Sequence, residues 1–361
     1  MDRPGVAVVV TNAPRPSAPR PSLSVLDLAT VADDSSPAQA LAEVTALARE
    51  VEQLGYRRLW VAEHHGMPAV ASSAPAVLIA HLAAATRTIR VGSGGVMLPN
   101  HAPMVVAEQF ATLEALHPGR IDLGIGRAPG TDQQTARALR RTADLDADRF
   151  PEDLVEMIGY FAGTVPHPRP VPGEGYLPEI WLLGSSLFSA QLAGMLGLPF
   201  SFAHHFMPQY TEPALERYRS AFRPSAVLAE PHTMVGVAVV CAATDDDARY
   251  LAGPSALSML QLRTGRFGPL PSPETAAAYR YSPAEQQLVD SITATWVVGD
   301  PATVTAGLDD LVARTGVDEL VVATRVHRYD DRVGSYRRLA EAWGTEPVAT
   351  DGAAADVSWP G

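Results

Sequence analysis

Lysine is absent from the 361-residue sequence, because all 28 of its basic side chains are arginine. Schiff-base aldolases, pyridoxal-phosphate enzymes and P-loop NTPases each need the ammonium group of a lysine, and arginine cannot form an imine. These three classes of enzyme are therefore excluded. The sequence also has 40 acidic side chains, which gives a net charge of -12, and the arginines form no basic stripe. Both observations argue against a nucleic-acid partner.

Cysteine and long apolar runs are also scarce. The single cysteine, Cys241, lies in the apolar run MVGVAVVCA, which excludes an intrachain disulfide and a cysteine-rich zinc site and favours the cytoplasm. No apolar run approaches the roughly 20 residues that span a bilayer, so we expect no membrane segment and no export signal. We expect residues 1–22 to be a Pro-rich extension and residues 347–361 a flexible tail.

Eight short apolar runs alternate with longer stretches of helical periodicity. The runs span residues 23–28, 59–62, 89–97, 121–125, 180–183, 199–203, 234–242 and 319–323. This α/β alternation predicts a single (β/α)8 TIM barrel over residues 23–346, with an open doubly wound sheet as the alternative. Residues 254–283, rich in proline and glycine, interrupt the alternation after the seventh strand. We expect them to form a lid over the site, or else a disordered or packing insertion.

The helix after the first strand has clear start and stop signals. Ser36 is placed to cap it, Pro37 occupies its first position and Gln39 is placed to complete a capping box, while Gly55 ends the apolar periodicity. These signals predict a helix that packs its apolar face on the barrel.

The carboxyl ends of barrel strands are where reactive groups are expected. The second strand runs into Glu63, His64 and His65, and either histidine could instead be a buried structural one. The chain contains neither H-x-H nor H-E-x-x-H, so we expect no metal site. The third strand contains Gly94 and Gly95, and a strand that gives up two side chains allows a flat ligand to come close.

Two further strand ends carry candidates for binding an anion. Arg127 follows the fourth strand in GIGRAPG, whose spacing does not fit a dinucleotide fingerprint and is better interpreted as a phosphate clamp. Ser185, Ser186 and Ser189 open the helix after the fifth strand, where unpaired N–H groups and the helix dipole attract an anion. A simple N-cap is the alternative for these serines. His204 follows the sixth strand, near the same rim.

Six ordered segments carry a resemblance to a known family: LSVLDLA, GYRRLWVAEHHGMP, ASSAPAVLIAHLAAAT, IRVGSGGVMLPNHAP, VVAEQFATLEALHPGRIDLGIGRAPGTD and WLLGSSLFSAQLAGMLGLPFSFAHHF. Together they resemble the bacterial luciferase-like flavin monooxygenases, and more narrowly the group 1 luciferase-like oxidoreductases. The resemblance covers residues 23–222 and resumes over residues 296–322. It implies a barrel, usually dimeric, that holds FMN or, in a related branch, F420 at its carboxyl end.

The resemblance also implies roles for residues around the flavin ring. His64 matches a histidine that acts near the flavin as a general base, and Glu63 beside it belongs to the same cofactor site. The bond between Gly94 and Gly95 matches a non-proline cis peptide that lies against the isoalloxazine ring.

A second group of residues matches the phosphate end of the cofactor. Arg127, Ser186 and Ser189 match phosphate-contacting residues of the family. Ser185 stands where luciferase has a glutamate at the phosphate site, and His204 stands where luciferase has a tryptophan beside the flavin. Luciferase's aldehyde substrate is therefore not transferred to this chain.

The resemblance implies an FMN-dependent monooxygenase, the oxygenase component of a two-component system. A separate NAD(P)H:flavin reductase would supply reduced FMN, and reaction with O2 through a C4a-hydroperoxyflavin would oxygenate a small organic substrate. An F420-dependent hydride-transfer oxidoreductase and a flavin-binding barrel without turnover are the alternatives. We expect a homodimer with the early helices at the interface and, from the alanine- and arginine-rich composition, a role in secondary metabolism.

Overall fold

The computed structural model describes residues 20–128, 133–139 and 149–348. The strands are β1 (Ser22–Asp27), β2 (Arg58–Val61), β3 (Arg90–Met97), β4 (Ile121–Gly126), β5 (Glu179–Gly184), β6 (Phe200–Phe202), β7 (Thr233–Cys241), β8 (Val297–Gly299) and β9 (Glu319–Ala323). The helices are α1 (Pro37–Gln53), α2 (Pro75–Ala85), α3 (Pro103–Leu116), α4 (Gln133–Leu139), α5 (Phe150–Phe161), α6 (Leu187–Leu196), α7 (Thr211–Ala221), α8 (Asp245–Arg263), α9 (Pro273–Ala278), α10 (Pro283–Thr293), α11 (Pro301–Thr315) and α12 (Tyr329–Trp343).

Eight parallel strands close into a barrel. Their order around the ring is β1, β2, β3, β4, β5, β6, β7 and β9, and β9 pairs with β1 to complete it. The short strand β8 pairs only with the last residues of β7. Helices lie between the strands along the chain, so the predicted (β/α)8 barrel is confirmed and the open doubly wound sheet is wrong.

The predicted tails fall mostly beyond the part of the chain that is described. Residues 1–19 and 349–361 lie outside it. Strand β1 begins at Ser22, which the sequence assigned to the extension, and the Trp343 indole donates a hydrogen bond to the Pro21 carbonyl at 2.9 Å. In the described part of the chain, no helix has the length and apolarity needed to cross a bilayer.

Helix α1 shows how local sequence fixes an element. The Ser36 hydroxyl accepts a hydrogen bond from the Gln39 N–H at 3.2 Å, as predicted for the cap. The second half of the predicted capping box is absent, because the Gln39 amide donates to Glu43 instead, at 3.1 Å. Val44, Leu47 and the other inward residues of α1 are fully buried against the strands.

The amino-terminal end of the barrel is closed by an ion network. Arg58, the first residue of β2, lies 2.7 Å from Asp122 on β4 and 2.8 Å from Glu319 on β9, and all three side chains have no exposed surface. Burial would lower the pKa of Arg58, but these carboxylates outweigh it and raise the pKa. Because this network fills the amino-terminal end, we expect a ligand site at the opposite, carboxyl-terminal end of the barrel.

The chain between β7 and β8 forms a helical segment with a core of its own. Residues 254–263, which the sequence assigned to the start of the insertion, are the second half of α8, with Pro254 inside the helix. Leu257 and Leu260 from α8 pack with residues of α9 and α10 in a hydrophobic cluster separate from that of the barrel. The burial of this apolar face offsets the helix-breaking tendency of proline.

Candidate active site

An inner cavity of about 150 Å³ lies at the carboxyl ends of the barrel strands. It is bordered by Leu26, Ala62, Gly94, Ala238 and Ala323, which come from β1, β3, β7 and β9 and from the residue after β2. Trp296, Val298 and Met259 complete an apolar wall on the side of the helical segment. Such a chamber, apolar with a few polar groups, is typical of a small-molecule site.

An outer cavity of about 270 Å³ adjoins the inner one. The two share five lining residues: Leu28, His64, Phe206, Met259 and Arg325. The outer wall is built by the end of α8 and by Arg266, Phe267 and Gly268 in the loop that follows. Residues from the predicted insertion therefore cover the site, while their action as a moving lid stays a prediction.

The two glycines of β3 form the floor between neighbouring strands. The peptide bond between Gly94 and Gly95 is cis, which confirms the prediction for this bond. A Cβ on Gly95 would lie 2.6 Å from the Gly124 carbonyl oxygen of β4, whereas Gly94 borders the inner cavity. Neither glycine contributes a side chain of its own, so a flat ligand in the inner cavity could approach the backbone at Gly94, next to the Leu26 side chain.

His64 lies where the inner and outer cavities meet. Its backbone N–H donates a hydrogen bond to the Ser72 carbonyl at 3.0 Å, which fixes the loop after β2. The imidazole lines both cavities and is partly exposed. The residue that the sequence proposed as catalytic is therefore in reach of a ligand in either chamber.

Glu63 is fully buried next to His64, and its carboxylate is occupied by groups of the chain itself. It accepts hydrogen bonds from His101 Nε2 at 2.7 Å, from His65 Nε2 at 2.9 Å and from the Met97 N–H at 3.0 Å. Burial would raise the pKa of Glu63, but these bonds outweigh it and lower the pKa. The arrangement favours a residue that positions the His64 loop, and direct contact with a cofactor stays a prediction.

Arg127, at the end of β4, meets the first turn of α6 after β5. Its guanidinium carbon lies 4.7 Å from the centre of the Phe188 ring. Ser186 is the N-cap of α6, but its hydroxyl caps no backbone N–H of that helix. A cation and the positive end of a helix dipole are thus brought together, as the phosphate prediction requires.

The other two serines differ in their access. Ser185 is partly exposed at the end of β5, beside the N-cap. Ser189 is only 3% exposed, and a Cβ on Gly184 would lie 2.4 Å from its Cβ. Ser189 therefore packs under β5, and its contact with a phosphate stays a prediction.

The resemblance predicted His204 beside the flavin. In the structure it lines neither cavity. Its Nδ1 is 2.8 Å from the Thr211 hydroxyl at the start of α7, and the side chain is 6% exposed. Burial, assisted by the charge of Arg314, lowers its pKa to about 4. The next two residues, His205 and Phe206, line the cavity instead, because the chain turns outward directly after β6.

Arg325, two residues after β9, is a site residue that the sequence analysis missed. It borders both cavities, and burial lowers its pKa to about 10, so the guanidinium keeps its charge at neutral pH. The signal that could have found it is its place at the carboxyl end of the eighth barrel strand.

One cluster in the described residues has the composition of a metal site. His327 Nε2 lies 2.8 Å from Asp33 and 3.4 Å from Asp34, and both carboxylates are exposed. The contacts are those of an ordinary ion pair, and the cluster lines neither cavity.

Comparison with known proteins decides the family. The sequence model of the luciferase-like monooxygenases matches residues 22–319. The chain belongs to this family. The resemblance drawn from the sequence motifs is confirmed, and the chain is a flavin-dependent monooxygenase on a TIM barrel.

Individual relatives cover nearly the whole monooxygenase. A luciferase-like monooxygenase of Escherichia coli (strain K12) is 47% identical over 317 residues, which are 87% of this chain and 95% of that relative. The N-acetyl-S-alkylcysteine monooxygenase of Bacillus subtilis (strain 168) is 34% identical over 330 residues, 89% of this chain and 97% of that protein.

Solved structures show the same architecture. The crystal structure of apo-MsnO8 has a TM-score of 0.85 at 37% identity and covers 91% of this chain and 100% of its own. At 20% and 16% identity, the fold is shared with 3,6-diketocamphane monooxygenase in complex with FMN and with an F420-dependent secondary alcohol dehydrogenase, with TM-scores of 0.66 and 0.67. The fold therefore accommodates both cofactors.

Proposed function

We propose that the chain is the FMN-dependent oxygenase component of a two-component system that oxygenates a small organic substrate. The observation that carries the proposal is the order of features around the rim. The side-chain-free glycines of β3 lie between the cationic end of β4 and α6 on one side and the apolar cavities on the other. The phosphate would bind at the cationic end, the flat ring against the glycines and the substrate in the apolar cavities.

FMN fits these residues. Arg127 and the start of α6 at Ser185 and Ser186 would hold its phosphate, and Gly94 and Gly95 would leave room for its ring. When bound in reduced form, FMN supplies the activation of O2, with one oxygen atom entering the substrate and the other leaving as water. The apolar walls of the two cavities would limit the access of bulk water to this site.

His64 would move a proton through its imidazole between the cofactor side and the substrate side of the site. It lies at the junction of the two cavities, and the hydrogen bonds of Glu63 to Met97, His65 and His101 hold its loop in place. An imidazole that borders both chambers, on a loop held by backbone hydrogen bonds, would be placed for general acid–base catalysis.

Reduced FMN would come from a separate NAD(P)H:flavin reductase. The one near-match to a dinucleotide fingerprint, GIGRAPG, has the wrong spacing, which argues against NAD(P)H binding there. A homodimer through the early helices is supported by Val77 on α2 and Val105 on α3, which are 72% and 46% exposed. The proposed compartment remains the cytoplasm.

The test of this function compares reduced FMN with reduced riboflavin, which lacks the phosphate, under anaerobic conditions. In the double variant Arg127→Met, Ser186→Ala, FMN should bind at least about tenfold more weakly, because each charge-assisted bond contributes about 1.5–3 kcal/mol. Riboflavin should bind as in the wild type. A matched control is Arg217→Met, Ser220→Ala, on the exposed side of α7.

Three results would contradict the proposal. Equal weakening of FMN and riboflavin would move the phosphate elsewhere, and preferential binding of F420 would favour hydride transfer. Reduced FMN that forms only hydrogen peroxide with every candidate substrate would favour a flavin-binding barrel without turnover. Candidates begin with N-acetyl-S-alkylcysteines, and incorporation of labelled oxygen is the readout.

A further inference from the structure

Arg325 is held in place without having its charge neutralised. Its Nη2 donates a hydrogen bond to the Ser258 hydroxyl of α8 at 3.1 Å, and its carbonyl oxygen accepts one from Ser255. Its Nε is buried and has no hydrogen-bond acceptor, and within the described ranges no carboxylate is paired with the guanidinium. The cation thus borders both cavities without a carboxylate partner among the described residues.

Arg58 and Arg332, two arginines with buried side chains, contrast with the partly exposed Arg325. Arg58 is neutralised by carboxylates on β4 and β9, and Arg332 lies 3.1 Å from Glu43 and 3.4 Å from Asp27. A buried charge without a counter-charge destabilises a folded protein. An uncompensated cation on the wall of a cavity therefore indicates a function, with the missing anion supplied by a ligand.

We infer that Arg325 binds the carboxylate of the substrate, so that the enzyme oxygenates an organic acid with an apolar chain. One guanidinium matches one carboxylate in charge and in planar geometry. The surrounding residues Leu28, Val70, Phe206 and Met259 would hold the apolar part of the same molecule. This inference rests on the proposed function for placing the substrate in these cavities.

The negative net charge of the chain makes an uncompensated cation on the cavity wall stand out as a place where an organic anion could bind. At -12 the protein as a whole repels organic anions. Arg266, which also lines the outer cavity, lies 3.2 Å from Glu285, so its charge is already compensated. Of these two arginines on the cavity wall, Arg325 is the one that offers its charge to a ligand.

The experiment measures binding by calorimetry with butanoate, hexanoate and octanoate and with the matched primary amides, on the protein alone and with FMN. In the wild type we expect at least about a tenfold preference for the carboxylate of the best chain length. Arg325→Met should lose this preference, and Arg325→Lys should retain part of it. Arg263→Met, an exposed arginine on α8, should behave as the wild type.

Two further measurements separate this role from others. Thermal unfolding of Arg325→Met should be unchanged or occur at higher temperature, since the variant removes an unpaired buried charge. FMN affinity should also be unchanged. Equal binding of acids and amides in the wild type, or a preference that survives Arg325→Met, would overturn the inference. So would a loss of FMN affinity in this variant, because the cation would then serve the cofactor.

The two proposals fail in different ways. A wild-type protein that prefers carboxylates but does not bind FMN contradicts the proposed function and still supports Arg325 as a carboxylate site. A wild-type protein that binds FMN but shows no preference for acids leaves the oxygenase assignment standing and removes the substrate class.

Discussion

His64 is the residue on which the proposed chemistry depends. It is fixed by its backbone bond to Ser72 and by the occupied carboxylate of Glu63 beside it, and its ring borders both cavities. A structural histidine would contribute mainly to stability, whereas a proton-transferring one contributes mainly to rate.

Replacement of His64 by alanine should therefore leave FMN affinity nearly intact and lower product formation by about 100-fold, within the range of general acid–base catalysis. Melting temperature, FMN affinity and turnover should be measured on one preparation. His81→Ala, on the exposed face of α2, is the control. Normal turnover in a less stable protein would contradict the catalytic role.

His204 gives a pH-dependent prediction. Its folded pKa of about 4 lies below the ordinary value of 6.5, so the unfolded chain binds a proton more readily than the folded one as the pH falls. Burial of the neutral imidazole therefore contributes about 3 kcal/mol to the free energy of unfolding above pH 6.5. This contribution is lost as the pH falls from 6.5 toward 4. His204→Gln should flatten this part of the curve of unfolding free energy against pH. An unchanged slope would contradict the burial of the neutral form.

At the scale of the element, β3 shows why two adjacent glycines are not equivalent. A Cβ on Gly95 would meet the backbone of Gly124 at 2.6 Å, whereas one on Gly94 would meet the movable end of the Leu26 side chain, also at 2.6 Å. The backbone cannot move without disturbing the pairing of β3 with β4, but the Leu26 side chain can rotate.

Gly95→Ala should therefore lower the free energy of unfolding by about 1–3 kcal/mol, and Gly94→Ala by less. Gly126→Ala is the matched control, because nothing lies within 4 Å of its added Cβ. Chemical denaturation of the three variants measures the order. If Gly94→Ala is the most destabilised variant, the close approach of β3 to β4 does not explain why glycine is needed at these positions.

The elements that sequence patterns predicted well are those with their own local signals. Ser36 and Pro37 start α1 as expected, and the barrel strands follow the eight apolar runs. Strand β8 was missed because its three residues pair only with the end of β7, a contact set by the tertiary fold. Residues 254–263 were assigned to an insertion because of the proline and glycine content of residues 254–283, whereas the packing of Leu257 and Leu260 holds them in α8.

At the scale of the whole molecule, the barrel rule predicted where the site lies but not which side chains face it. The loops after β2 and β4 carried His64 and Arg127 to the rim as expected. The loop after β6 turned His204 toward α7, and the structure alone shows that Arg325 has no carboxylate partner among the described residues. Loop direction and charge balance depend on neighbours distant in sequence, so local patterns do not determine them.

The separate core of α8, α9 and α10 has a consequence for how this enzyme family diversifies. The barrel supplies the glycine floor and the cationic rim, while the helical segment supplies the outer cavity wall and carries its own packing. Substitutions on the cavity side of this segment can therefore reshape the outer cavity while the packing of the barrel core is kept. Chimeric enzymes with the segment of a relative are, for the same reason, the natural starting point for redesigning its specificity.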